Sequence, residues 1–116
     1  DINSPEKSAA EVLLKSALIK ELDKLSKEQQ VMLKLTLPDA DNFYSECINH
    51  KNIIKVVALS GGYSREQANN KVAANHNMIA SFSRALTEGL SSKQSDEEFS
   101  TMLNVAIESI FNASKT

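Results

Sequence analysis

Within one short run, Ile53-Ile54-Lys55-Val56-Val57-Ala58-Leu59-Ser60-Gly61-Gly62-Tyr63-Ser64-Arg65-Glu66-Gln67, the chain changes character twice. The first part is rich in β-branched residues and stops at a serine and two glycines, the composition of a strand running into a loop. Ser64-Arg65-Glu66-Gln67 then fits a capping box, in which the Ser64 hydroxyl takes one orphan helix N–H and the Gln67 side chain returns a bond to the Ser64 N–H. The run predicts strand, loop and helix in immediate succession.

The same unit recurs on both sides. Upstream, Val31-Met32-Leu33-Lys34-Leu35-Thr36-Leu37 is apolar at alternate positions and closed by Pro38, which predicts a strand. A brief helical pattern over Asp41 to His50 follows it. Downstream, Met78-Ile79-Ala80-Ser81-Phe82-Ser83 is a third strand-like run after the turn residues Asn75 and Asn77, with a short helix over Arg84 to Leu90 behind it. Ser95-Asp96-Glu97-Glu98 is a second capping box, opening a helix with Phe99, Met102, Leu103, Ala106, Ile107, Ile110 and Phe111 on one face. Before the first strand, Val12, Leu13, Ala17, Leu18 and Leu22 predict a buried helical stripe between Ser4 and Leu25, with Ser4 as N-cap and Pro5 at the first helical position.

Helix, strand, short helix, strand, helix, strand, helix, helix is an α/β order and calls for parallel strands covered by helices. Three such strands make a poor domain by themselves, because a parallel sheet is normally buried on both faces and its edges need cover. The expectation is that the rest of a sheet, another chain or a swapped copy completes it.

At 116 residues the chain is a single segment with one core or part of one. Thirteen basic against fifteen acidic residues leave a formal charge of −2, which gives no field to attract nucleic acid or an anionic membrane. Cys47 is the only cysteine, so no internal disulfide forms, and with two histidines it makes no recognisable metal-ligand spacing. No run has the length of a membrane span or the form of a signal peptide, and the chain reads as cytoplasmic. It opens Asp1-Ile2-Asn3 without an initiator methionine, which leaves room for an upstream segment.

Three features can carry chemistry. Lys34 alternates with Leu33 and Leu35, which makes it the polar centre of an otherwise apolar strand; desolvation there favours the neutral amine, the form that attacks a carbonyl to give a Schiff base. The same lysine also reads as an edge-strand residue reaching to water. Ser60-Gly61-Gly62 joins a strand end to a helix start, where bare backbone N–H groups suit phosphate oxygens, although glycines are equally the default residues of a turn. Arg84 follows the third strand in the same relative place and offers bidentate donors to phosphate, or is a plain surface arginine. All three fall on the carboxyl side of a parallel sheet, the face on which barrel enzymes build their sites. His50 and His76 fall in loops at the other end and read as structural or solvated, Cys47 as a small buried side chain.

Taken together, Val31-Met32-Leu33-Lys34-Leu35-Thr36, Val57-Ala58-Leu59-Ser60-Gly61-Gly62-Tyr63-Ser64-Arg65 and Ala80-Ser81-Phe82-Ser83-Arg84-Ala85-Leu86 resemble the last three strand ends of class I, Schiff-base-forming fructose-bisphosphate aldolases, nearest to the bacterial branch. The resemblance runs over nearly the whole chain. It implies the C-terminal portion, the last three βα units, of a (β/α)₈ TIM barrel. It implies reversible cleavage of fructose 1,6-bisphosphate to dihydroxyacetone phosphate and glyceraldehyde 3-phosphate, without metal or cofactor. Lys34 matches the Schiff-base lysine; Ser60, Gly61 and Gly62 match one phosphate-holding loop, and Ser83 and Arg84 match the phosphate-binding pair after the final strand. The implied partners are a sugar phosphate, the remaining part of the barrel and further copies in a homo-oligomer, with no nucleic acid and no membrane.

Animal members carry glycine where this chain has Ser83, and end in a tyrosine where this chain ends Asn112-Ala113-Ser114-Lys115-Thr116. The family's acid/base glutamate, an aspartate and further lysines have no counterpart here, so the chain alone is expected to cleave substrate poorly or not at all. The alternative is a non-catalytic phosphate-binding or assembly half-barrel module, which has no need of an inward lysine at position 34.

Overall fold

A computed structural model of the chain describes residues 1–116. Its elements are α1 (Lys7–Leu22), β1 (Val31–Thr36), α2 (Ser45–Ile48), β2 (Ile53–Leu59), α3 (Arg65–Ala73), β3 (Met78–Ala80), α4 (Arg84–Thr87) and α5 (Asp96–Ala113). The strands form one sheet in the order β1-β2-β3, and both pairings are parallel. Lys34 stands opposite Val57 and Thr36 opposite Leu59. The fold is α/β with a three-stranded parallel sheet, as the alternation of elements requires.

Helices cover one face of this sheet only. Leu35, Val56, Ala58 and Met78 pack there against Ala68 and Val72 of α3, with Tyr44, Cys47, Phe82 and Ala85 closing the core. On the other face Met32 is 56% exposed and Lys34 is also exposed. β1 pairs along one edge only. At the outer edge of β3 the C-terminal residues supply side-chain partners: the Ala80 N–H donates to Ser114 Oγ at 3.0 Å, and Thr116 Oγ1 donates to the Met78 carbonyl at 3.2 Å.

Both capping boxes form. Gln67 N donates to Ser64 Oγ at 3.2 Å while Ser64 N donates to Gln67 Oε1 at 3.1 Å. At the start of α5, Glu98 N donates to Ser95 Oγ and Ser95 N to Glu98 Oε2.

Four sequence expectations need correction. Ser4 does not cap α1: its hydroxyl accepts from Glu6 N and its carbonyl from Lys7 N, which makes a turn ahead of a helix that begins at Lys7. The buried stripe of α1 keeps only part of the apolar one, since Leu18 packs on the core and Leu22 is buried as expected. Lys7, Glu11 and Leu22 face inward, whereas Val12 and Leu13 are 55% and 73% exposed. The third strand ends at Ala80. Ser81 N still bonds to the Ala58 carbonyl at 2.7 Å, but Phe82 turns into the core and carries the backbone out of the sheet. The helix behind it is also shorter than expected, since Glu88 leaves the helical region and Gly89 takes φ +84°.

Candidate active site

The carboxyl ends of the three strands lie side by side, so the loops that follow them meet. Lys34, Leu59, Ser60, Gly61, Ser81, Ser83 and Arg84 line one shallow hollow of about 220 Å³. Lys34, Ser60, Gly61, Ser83 and Arg84 are therefore brought together, although Gly62 is not in the lining. Ser81 belongs to the hollow and was not singled out from the sequence. Its signal was its place three residues before Arg84, on the same side of the chain as Ile79 by strand alternation.

Lys34 reaches this hollow from near the end of β1. In this chain its side chain is exposed, the edge-strand alternative of the two readings, because no layer lies over its face of the sheet. Ser60, by contrast, is 4% exposed. Gly61 and Gly62 take φ +62° and +99°, conformations that side chains rarely adopt. A Cβ on Gly61 would lie 3.1 Å from Thr36 Cγ2 and 3.3 Å from Ile2 Cγ2, so the loop is also packed too closely for one. The turn is closed by Tyr63 N donating to the Ser60 carbonyl at 3.0 Å. The N–H groups of Ser60, Gly61 and Gly62 have no acceptor within the chain.

On the opposite wall, Ser83 precedes α4 and Arg84 opens it. Their N–H groups also lack acceptors, and the Arg84 guanidinium makes no ion pair. The neighbouring Arg65 is used differently: its Nε donates to the Ala85 carbonyl at 2.8 Å, its Nη2 to the Glu88 carbonyl, and its N–H to Glu88 Oε2 at 2.6 Å. One arginine thus fastens α3 to α4 and the other is left facing the hollow. The arrangement combines a primary amine, hydroxyls, unpaired amides and one unpaired guanidinium, a set of donors suited to a phosphate beside an amine.

Lys7 and Glu11 line a separate cavity with Thr36, Tyr44 and Gly61, and belong to a charged cluster that periodicity did not reveal. Lys7 Nζ donates to Glu11 Oε1, to Asp39 Oδ1 at 2.7 Å and to the Leu37 carbonyl at 3.0 Å. Ser8 Oγ donates to Asp39 Oδ2, and the Asp39 N–H to Glu11 Oε2. Burial alone would lower the Lys7 ammonium, but the Asp39 and Glu11 carboxylates outweigh it and hold it above its ordinary value. Lys7 in turn holds the Asp39 carboxyl below the usual range. Burial, aided by the Glu11 carboxylate, pushes the Tyr44 phenol up to about 12. Burial also raises the Cys47 thiol, which keeps it in its unreactive form.

The histidines stay away from the hollow. His50 Nδ1 accepts from Asn52 N, which leaves Nε2 to donate to Asp23 Oδ1 at 3.2 Å, and His76 is exposed. No three His, Cys, Asp or Glu side chains converge. No helix is long and apolar enough to cross a membrane.

No protein-family model matches the chain. Comparison with curated proteins gives a clear result. The chain is 60% identical over 116 residues, all of its length, to the "Fructose-bisphosphate aldolase class 1" of Synechocystis sp.. The chain is homologous throughout to class 1 fructose-bisphosphate aldolases. The protein of that name from Porphyromonas gingivalis is 56% identical over 98% of the chain, and that from Clostridium acetobutylicum 49% over all of it. The chain spans 38% to 39% of the length of these aldolases, and the match is to their C-terminal part. The resemblance read from the three strand ends is the one the relatives bear out.

Proposed function

We propose that this chain forms the last three βα units of a (β/α)₈ barrel, and that the complete barrel is a class I fructose-bisphosphate aldolase working in the cytoplasm as a homo-oligomer. In this reading the Lys34 amine adds to the ketone of fructose 1,6-bisphosphate and water is lost, leaving an iminium. The electron pair of the breaking carbon–carbon bond moves into that iminium, and glyceraldehyde 3-phosphate departs. Protonation of the resulting enamine and hydrolysis release dihydroxyacetone phosphate and return Lys34. The acid/base that moves these protons belongs to strands outside the chain.

Ser60, Gly61 and Gly62 on one side, and Ser83 and Arg84 on the other, hold a substrate phosphate beside the lysine, with Ser81 as a further donor. The observation that supports this most is the convergence of Lys34 with Ser60, Gly61, Ser81, Ser83 and Arg84 on one hollow at the carboxyl ends of parallel strands. Covering strands on the open face would take Lys34 out of water. A non-catalytic module is not favoured, since the relatives that cover the chain carry the enzyme's name.

The reading is tested on the intact protein by replacing Lys34 with methionine, which is of similar length and suits a buried strand. Lys34→Met should abolish fructose 1,6-bisphosphate cleavage in a coupled assay and leave the circular dichroism spectrum unchanged. Cleavage at the parent rate would overturn it.

A further inference from the structure

Two lysines that do not line the hollow meet the backbone just after the Lys34 strand. Lys7 of α1 donates to the Leu37 carbonyl at 3.0 Å, and Lys71 of α3 donates to the next carbonyl, that of Pro38, at 3.1 Å. These carbonyls belong to the turn that follows the Lys34 strand. Lys71 Nζ also lies over the Tyr63 ring, 5.1 Å from its centroid, and Tyr63 follows the two glycines of the other loop. Lys7 is further fixed by Glu11 and Asp39, and Ile2, from the same N-terminal segment, packs on Gly61 and Gly62.

We propose that Lys7 and Lys71 form a brace that sets the position of the glycine loop relative to Lys34. They act as positioning residues for phosphate binding beside the lysine. The chemistry favours this over plain surface ion pairing. Two ammonium groups are spent on successive main-chain carbonyls, and a carbonyl bonded to a cation holds its peptide in one orientation. Lys7 is 8% exposed and partnered on every side. Lys71 touches both loops at once, so its removal frees one from the other. A shift of about 1 Å between a phosphate site and a nucleophile can cost on the order of a hundredfold in rate.

The inference rests on the aldolase reading, and its experiment separates the two. In the intact protein, borohydride trapping is measured with dihydroxyacetone, which has the ketone and no phosphate, and with dihydroxyacetone phosphate. The parent should trap the phosphorylated ketone far more readily. Lys71→Met should reduce that preference by about tenfold or more, by slowing trapping of the phosphate ester while dihydroxyacetone is trapped as before. Lys71→Arg, which can still donate to Pro38 and stack on Tyr63, should restore most of it. Tyr63→Leu should reproduce part of the Lys71→Met effect, and serves if that variant is unstable. An unchanged preference in Lys71→Met and Tyr63→Leu, or equal loss with both ketones at full thermal stability, would overturn the brace. Absence of any trapping in the parent would instead overturn the aldolase reading.

Discussion

Arg84 shows what a single residue contributes when its neighbours are already committed. Arg65 spends its guanidinium on Ala85 and Glu88, whereas Arg84 has no partner and faces the hollow. Arg84→Ala should therefore cost little stability, and should weaken binding of the phosphorylated substrate by about 1.5–3 kcal/mol through loss of one charged hydrogen-bond set. Titration of the intact protein with a phosphorylated substrate analogue checks this, and unchanged affinity would remove Arg84 from the site. Residues of this kind were legible in the sequence because their type and their place after a strand pointed the same way. Ser81 was not, because it sits inside an apolar run and its one signal, its spacing from Arg84, stands out only once β3 is seen to stop at Ala80. For Lys34 the sequence left two environments open, and the exposed edge-strand one is what this chain shows. Alternation puts Lys34 on a defined face of β1, but says nothing of whether a layer covers that face.

Among the elements, α1 departs most from its sequence pattern. Its inward positions Lys7, Glu11, Lys15, Leu18 and Leu22 follow helical spacing, but charges hold the first three, and a search for apolar periodicity passes over them. Lys15 covers the Phe43 ring at 4.4 Å, so a charged side chain does apolar work there. By contrast β1, β2 and the starts of α3 and α5 were legible to within a residue or so, since Pro38, the glycines and the capping boxes mark them. The buried cluster around α1 has a pH consequence. The Tyr44 phenol is raised from 10.0 to about 12 by burial and the nearby Glu11 carboxylate. A raised folded-state value means a contribution fully present below about pH 10 and lost as pH rises toward 12. Tyr44→Phe should leave stability near neutrality almost unchanged and flatten the alkaline loss. Chemical unfolding at pH 7 and pH 11 measures both, and equal alkaline loss in the two proteins would contradict the assignment.

For the whole molecule, the distribution of exposed apolar surface matters more than any one contact. Val12 and Leu13 on α1, Met32 on the sheet, and Val105, Ile107 and Phe111 on α5 are all open to water. Edge capping by Ser114 and Thr116 reaches two backbone groups of β3, and β1 has no strand beyond it. These are the surfaces that the remaining length of the aldolase relatives would cover in the proposed barrel. The parallel order was legible from the alternation of elements, while the extent of uncovered surface was not, because it depends on what packs from outside. The proposed barrel stands or falls on whether Lys34 is the residue that bonds to substrate. The most direct measurement is borohydride reduction of the intact protein with dihydroxyacetone phosphate, followed by peptide mass mapping. The reduced adduct should lie on Lys34 and vanish in Lys34→Met, because only an iminium is trapped in this way. An adduct on Lys55, Lys71 or another lysine, with Lys34 unmodified, would contradict the account.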